Sequence, residues 1–417
     1  MRVAVVGAGW AGLACAVHAL RAGHEVVVFE AARTPGGRAR RVETEDGLAL
    51  DNGQHILIGA YSATLSLMRE LGVAPDEAML RTPLQLRFAD GGGLAVPRPP
   101  APPGLAAGIL SARGWTWRDK TSLLRTALGW RAAGFRCDEH ACVAQLCRGL
   151  TPRVMQELIE PLCVSALNTP VEESSGQVFL RVLNDALFTG RGGADLLLPR
   201  VDLGRLLPDA AAARLAGGGA QLRLGCRVQA LQPAGNAWLV DGERFDRVVL
   251  AGAPWDAARL VRSAGVDATH WLAAAEGLRY EAIATVYAQG AKRALAAPMV
   301  ALRSGPATPA QFVFDRGQLG GPQGLLAFVV SANDTERDAL QSQVLAQAAT
   351  QLDEPGLRVL QTVVEKRATF ACTPGLVRPA MGIAPGLLAC GDYVEGPYPA
   401  TLGGAIRSGA GGAFPLH

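Results

Sequence analysis

Residues 2–30 constrain this chain more than any other stretch. RVAVVG (2–7) is a short β-branched run that ends in glycine, and the turn GAGWAG (7–12) follows. LACAVHALRAG (13–23) carries Leu13, Val17 and Leu20 at helical spacing, and EVVVF (25–29) is a second β-branched run ending in Glu30. Strand, glycine turn, helix, strand, acid is the order of a βαβ unit in a parallel sheet whose first turn takes a dinucleotide. Each glycine has its own task. Gly7 permits the tight turn, Gly9 lets the backbone approach a pyrophosphate, and Gly12 lets the helix pack on the strand. The N–H groups and dipole at the helix start attract phosphate. Glu30 is placed to accept from an adenosine ribose hydroxyl and would repel a 2′-phosphate, which disfavours NADP. Val3–Leu20 lacks any charged residue, but its three glycines argue against an export signal or a membrane span.

Composition narrows the class. The 417 residues are 49% hydrophobic and 18% charged, against a usual charged share of about 25%, so general disorder is excluded. Length favours two or three structural units. A net charge of +3 is too balanced to indicate nucleic acid as a partner. The 8 cysteines are scattered without a CxxC pair, so reduced thiols are expected and no metal site. No internal repeat is visible.

NAD and FAD fit the opening equally. The next segment separates them. TPGGRARR (34–41) places Gly36, Gly37 and Arg38, with Arg40, soon after the adenosine acid. Near the other end LLACGD (387–392) is an apolar strand ending in Gly391 and Asp392, followed by YPATLGGAIRSG (398–409). A strand, an acid and a helix start of small residues suit a second set of phosphates or a ribityl chain. Together these segments resemble the flavoprotein family of amine oxidases, phytoene desaturases and related enzymes. The resemblance implies FAD, held in a Rossmann-like α/β domain of the glutathione-reductase type, discontinuous in sequence. In that family the second glycine pair and its arginine lie along the FAD, Val228 matches the strand beside the adenine, and Thr401 and Leu402 belong to the C-terminal flavin motif. No second GxGxxG follows a strand, so electrons are expected from an external donor.

A narrower resemblance rests on Asp51-Asn52-Gly53-Gln54-His55 and the following ILIGAY, with ALNTPVEESSGQVFLRVL (166–183), ADLLLPR (194–200) and YEAIATVYA (280–288). These resemble the bacterial hydroxysqualene dehydroxylases over nearly the whole chain. Two departures stand out: the family more often has cysteine at the position of Ala60, and the C-terminal helix looks short, ending in SGAGGAFPLH. The resemblance implies a hydrophobic triterpene substrate, hydroxysqualene, reduced to squalene, with Gly53, Gln54 and His55 near the flavin. Hydroxide leaves an allylic carbon poorly, so an acid must protonate it. His55, Asp51 and Tyr398 are the candidates. A carotenoid-type desaturase running in the oxidative direction shares the FAD motifs, and only DNGQH and ALNTP favour the dehydroxylase. Prenyl-protein escort factors share the fold without a bound flavin, and an amine oxidase lacks support from any aromatic-cage signature.

The resulting organisation is an FAD-binding domain from 1–60, 200–258 and 368–417, with an inserted mixed α+β substrate domain from 61–199 and 259–367. Segments 222–231, 237–240 and 245–250 read as strands of the first domain. Segment 61–199 reads as a strand pair followed by helices. Strands at 281–289, 311–314, 325–330 and 357–365 and a helix near 335–352 make up the remainder. Residues 97–136 run from a Pro-rich entry into segment 113–136, where Trp115, Trp117 and Trp130 lie among six basic residues and a single acid, Asp119. That mixture suits either a core helix with a solvated basic face or contact with a bilayer interface. The expected location is cytoplasmic, peripheral on the inner face of the membrane.

Overall fold

A computed structural model describes residues 1–95, 103–188, 192–332 and 335–413. The Pro-rich entry at 97–102 therefore lies outside the described residues. The β-branched runs form a six-stranded sheet in the order Gln221–Leu224, Glu25–Glu30, Arg2–Val6, Arg247–Leu250, Leu387–Ala389, Gly382–Ala384. The first five strands pair in parallel and the last is antiparallel. Val3–Val5, Val26–Phe29 and Val248–Leu250 are buried along their lengths. A parallel strand covered on both faces has no solvent side, which explains continuous apolar runs rather than alternation. Three separate stretches of chain thus meet in one sheet, and their carboxyl ends carry Gly7, Ala251–Gly252 and Cys390–Gly391 side by side.

Helix Trp10–Arg21 covers one face of this sheet and packs against helix Leu402–Ala413. The approach is close because the C-terminal helix is built of small residues: a Cβ on Gly409 would lie 2.2 Å from the Ala11 carbonyl. The SGAGG stretch that looks short in sequence is therefore helical through Ala413 and seated on helix Trp10–Arg21.

A second, five-stranded antiparallel sheet runs Met299–Ala301, Phe312–Asp315, Leu325–Ser331, Tyr280–Gln289, Arg358–Phe370. Helix Arg337–Gln351 backs it through Leu340, Val344 and Ala348. The strands and helix expected over 281–365 are all present.

Three expectations change. Residues 222–231 are not one strand. Gly225 turns the chain at φ +68°, and a separate three-stranded meander begins at Leu231–Ala234. The 245–250 run divides at Asp246, with Glu243–Phe245 in the meander and Arg247–Leu250 in the parallel sheet. After position 61 the chain forms helices Ser62–Glu70 and Pro75–Ala78 first, then strands Met79–Thr82, Gln85–Arg87 and Gly93–Ala95, and then the remaining helices. Helix Pro254–Ala264 follows strand Arg247–Leu250.

Candidate active site

The first glycine turn is dictated by sterics. Gly7 sits at φ +115°, its N–H donates to Phe29 O at 2.7 Å, and a Cβ there would lie 2.8 Å from the Ala251 backbone. A Cβ on Gly12 would lie 1.9 Å from Gly7 O. Gly9 is different. It has an ordinary extended backbone (φ −72°, ψ 178°), and a Cβ there would meet nothing closer than Gly37 Cα at 3.9 Å. The protein itself does not require glycine at position 9. Gly9 caps helix Trp10–Arg21 without a side chain, and the first turn holds no acid. A helix start that no side chain caps, with its N–H groups unpaired, suits an anion such as phosphate.

The second glycine pair is stitched to the first. Gly36 N–H donates to Ala8 O at 2.8 Å, Gly9 and Gly36 form a parallel bridge, and Gly37 at φ +62° backs onto Gly9. Glu30 lies beside them, its Oε2 accepting from Ala8 N and its Oε1 from Ala32 N, each at 2.7 Å. Each carboxylate oxygen keeps a further lone pair for a ribose hydroxyl.

Arg38 joins the ends of the chain. Its Nη2 donates to Asp392 Oδ1 and its Nη1 to Ala368 O, both at 2.6 Å. Burial pulls the guanidinium pKa down, but Asp392, Glu365 and Tyr280 together hold it above its ordinary value. The carbonyl of Arg38 accepts from Asn52 Nδ2 at 2.8 Å, which brings the DNGQH turn to the same place. In the C-terminal motif Gly391 N–H donates to Ser408 Oγ at 3.1 Å. Thr401 Oγ1 accepts from Gly404 N at 2.9 Å and so caps helix Leu402–Ala413. Val228 is buried and its carbonyl accepts from Arg259 Nη2 at 2.7 Å, in the connection between strands.

The DNGQH turn is held by partners from distant parts of the chain. Tyr287 Oη donates to Asp51 O at 3.0 Å. Thr285 Oγ1 accepts from Gln54 N at 3.3 Å, and Arg316 Nη1 donates to Gln54 Oε1 at 3.2 Å. Glu365 Oε2 accepts from Asn52 Nδ2 at 3.2 Å. Thr285 and Tyr287 belong to YEAIATVYA, so two separated motifs of the resemblance touch in space. The signal was two hydroxyl residues at alternate positions of an apolar strand, pointing one way.

The three acid candidates differ. His55 Nδ1 lies 2.9 Å from Gly53 O. A carbonyl only accepts, so Nδ1 carries the proton and Nε2 offers a lone pair. Burial holds the His55 pKa below its ordinary value. Tyr398 hydrogen-bonds Asp185, and burial together with that carboxylate raises its pKa. Its ring lies 6.4 Å from that of Tyr61, a residue the sequence does not single out, and a Cβ on Gly403 would lie 2.8 Å from the Tyr61 ring. Asp51 Oδ1 accepts from Leu203 N at 2.8 Å, which makes this carboxyl a positioning group for the turn that carries His55.

Burial lifts the Asp51 pKa from 3.8 to about 6. The folded chain therefore binds this proton more tightly than the unfolded chain. The resulting stabilisation is complete below the unfolded value and is lost as pH rises through the folded one, a fall of about 3 kcal/mol. Asp51→Asn keeps an acceptor for Leu203 and removes the ionisation. Urea unfolding should show the variant gaining on the parent between pH 4 and pH 7 and staying ahead above it. Parallel curves for the two proteins would remove Asp51 from the pH dependence.

Comparison with known proteins gives the family and the fold. A hydroxysqualene dehydroxylase of Rhodopseudomonas palustris is 28% identical over 98% of this chain and 96% of the relative. A 15-cis-phytoene desaturase of Synechococcus elongatus is 44% identical, but over 18% of this chain and 15% of the relative. An oxidoreductase from Methanosarcina mazei shares the fold, with a TM-score of 0.72, 17% identity and coverage of 98% of this chain and 99% of that one. Residues 10–413 match the family of flavin containing amine oxidoreductases. With its two interlocked glycine turns and the Arg38–Asp392 junction, the chain belongs to that family and is an FAD-dependent oxidoreductase.

Proposed function

We propose that this chain reduces hydroxysqualene to squalene. The observation that carries the reading is the extent of the likeness. The dehydroxylase relative matches 98% of the chain, whereas the phytoene desaturase matches only 18%. The DNGQH turn and the Thr285 and Tyr287 hydroxyls that hold it lie in the longer match.

Residues around Gly9, Gly37, Arg38 and Thr401 would hold FAD, with Glu30 at its ribose. Reduced FAD, when bound, supplies hydride, so that hydroxysqualene gives squalene, water and the oxidised cofactor. The protein must provide the proton that lets hydroxide leave as water. His55 is the candidate donor. Its Nδ1–H is committed to Gly53 O, so the transferable proton is the one gained at Nε2. A depressed pKa makes that imidazolium sparse at neutral pH but a strong acid when formed. Turnover limited by this step should rise toward acid pH with a midpoint below the ordinary histidine value of about 6.5.

One anaerobic turnover tests the reading. The flavin is reduced, hydroxysqualene is added, the flavin band is followed and the lipid is identified by mass spectrometry. Reoxidation with squalene as product is expected. Reduced flavin beside unchanged hydroxysqualene would overturn the proposal and turn attention to oxidative desaturation of isoprenoids. His55→Ala should retain flavin and slow reoxidation by about 10²-fold or more. An unaffected rate would exclude His55 as the donor.

A further inference from the structure

We propose that the face formed by helices Pro103–Ser111 and Trp117–Ala132 docks on an anionic phospholipid bilayer. No helix among the described residues is long and apolar enough to cross a membrane, so the contact is with the surface. The proposal stands on the geometry of these helices and does not depend on which substrate the flavin site takes.

Three large apolar side chains are exposed here: Trp117 at 72%, Leu128 at 64% and Leu110 at 48%. Trp117 and Leu128 are about three turns apart on one helix at roughly 3.6 residues per turn, so they share a face. Asp119, Leu123 and Trp130 are buried on the opposite side. Lys120 draws Leu110 into the same patch. Its Nζ donates to Leu110 O at 2.6 Å and sits 5.4 Å from the centre of the Trp117 ring.

The exposed charge on the two helices and the link between them has one sign. Arg113, Arg118, Arg125, Arg131 and Arg136 are exposed. The single acid between residues 103 and 137, Asp119, is turned inward, where its oxygens accept from Thr116 and Thr151. Exposed tryptophan and leucine within a rim of arginine, with no outward carboxylate on either helix and the exposed Asp138 and Glu139 lying beyond them, complement lipid tails beneath anionic head groups.

The patch is also held rigidly. Trp115 Nε1 donates to Glu157 Oε2 at 2.7 Å, and Arg303 Nη1 pairs with Glu157 Oε1 at 2.8 Å. A capping box at Thr116 and Asp119 starts the second helix. The exposed side chains are therefore presented by a fixed scaffold, and little ordering is needed on contact.

The test is cosedimentation of the full chain with phosphatidylglycerol/phosphatidylcholine vesicles and with pure phosphatidylcholine vesicles. Binding to the anionic vesicles is expected, falling about tenfold or more when salt is raised from about 0.05 M to 0.5 M. The triple variant R118E/R125E/R131E should lose at least about 100-fold in affinity, since the three arginines stand to lose their attraction and the glutamates add repulsion. The double variant Trp117→Ser/Leu128→Ser should lose about tenfold with the flavin spectrum and Tm unchanged. No pelleting with anionic vesicles, equal pelleting with neutral ones, or binding that neither variant weakens would each overturn the proposal. So would retention on an acidic polypeptide without retention on vesicles.

Discussion

Gly12→Ala should produce a protein that has lost its flavin and unfolds well below the parent. A Cβ at position 12 would lie 1.9 Å from Gly7 O, 3.0 Å from Gly7 C and 2.9 Å from Ala251 Cβ. Two of those three atoms are backbone, so no side chain can swing away. The helix would have to lift from the strand, and overpacking of this kind costs about 1–3 kcal/mol, occasionally more. The gain in helix propensity from glycine to alanine is only about 1 kcal/mol and does not offset it. Helix Trp10–Arg21 is also packed against Leu402–Ala413 by the Gly409–Ala11 contact, so any lift strains a second interface. The matched control is Gly217→Ala in helix Pro208–Gly217, where a Cβ meets nothing within 4 Å. Gly9→Ala separates the two roles. Its Cβ finds ordinary space in the protein, so the apo chain should melt like the parent while flavin retention falls more than about tenfold. A Gly12→Ala protein with parental flavin content and Tm would mean that the glycine turn is not the rigid element described.

What could be read without coordinates was what short-range chemistry decides. Strand, turn, helix and acid follow one another within residues 2–30, and each is set by neighbours a few positions away. The antiparallel strands at 280–289 and 325–331 announce themselves by composition for the same reason. The site's interior was not legible in this way. Arg38 meets Asp392 across 354 positions, Tyr287 meets Asp51 across 236 and Arg316 meets Gln54 across 262. No spacing rule connects residues so far apart, because their proximity is a product of the sheet order. The acid candidates show the same limit. Asp51 reads as a carboxylate beside a histidine, yet its oxygen faces Leu203 N from another part of the chain. Gly225 shows the converse case, a single left-handed residue that divides an apolar run into two sheets.

The Arg38–Asp392 pair carries the second large effect. Asp392 is 9% exposed, and the Arg38 side chain is 36% exposed. Asp392→Ala leaves the guanidinium with Ala368 O as its hydrogen-bond acceptor. Breaking a fully buried pair costs about 3–5 kcal/mol. Partial exposure of Arg38 screens the orphaned charge, so about 2 kcal/mol of global stability is expected here. The effect on the cofactor should be larger in relative terms, because this junction fixes the second glycine turn against the C-terminal motif. Flavin dissociation should be faster in Asp392→Ala than in the parent, with Asp392→Asn in between, since the amide keeps an acceptor and loses the charge. The double-mutant cycle with Arg38→Ala decides whether the two residues act as a unit. Removing both partners abolishes the unpaired charge, so the double variant should be less destabilised than the sum of the singles by about 1–2 kcal/mol. Additive losses would mean that each residue acts through other neighbours, and the two ends of the chain would then be joined by the sheet and the paired helices alone.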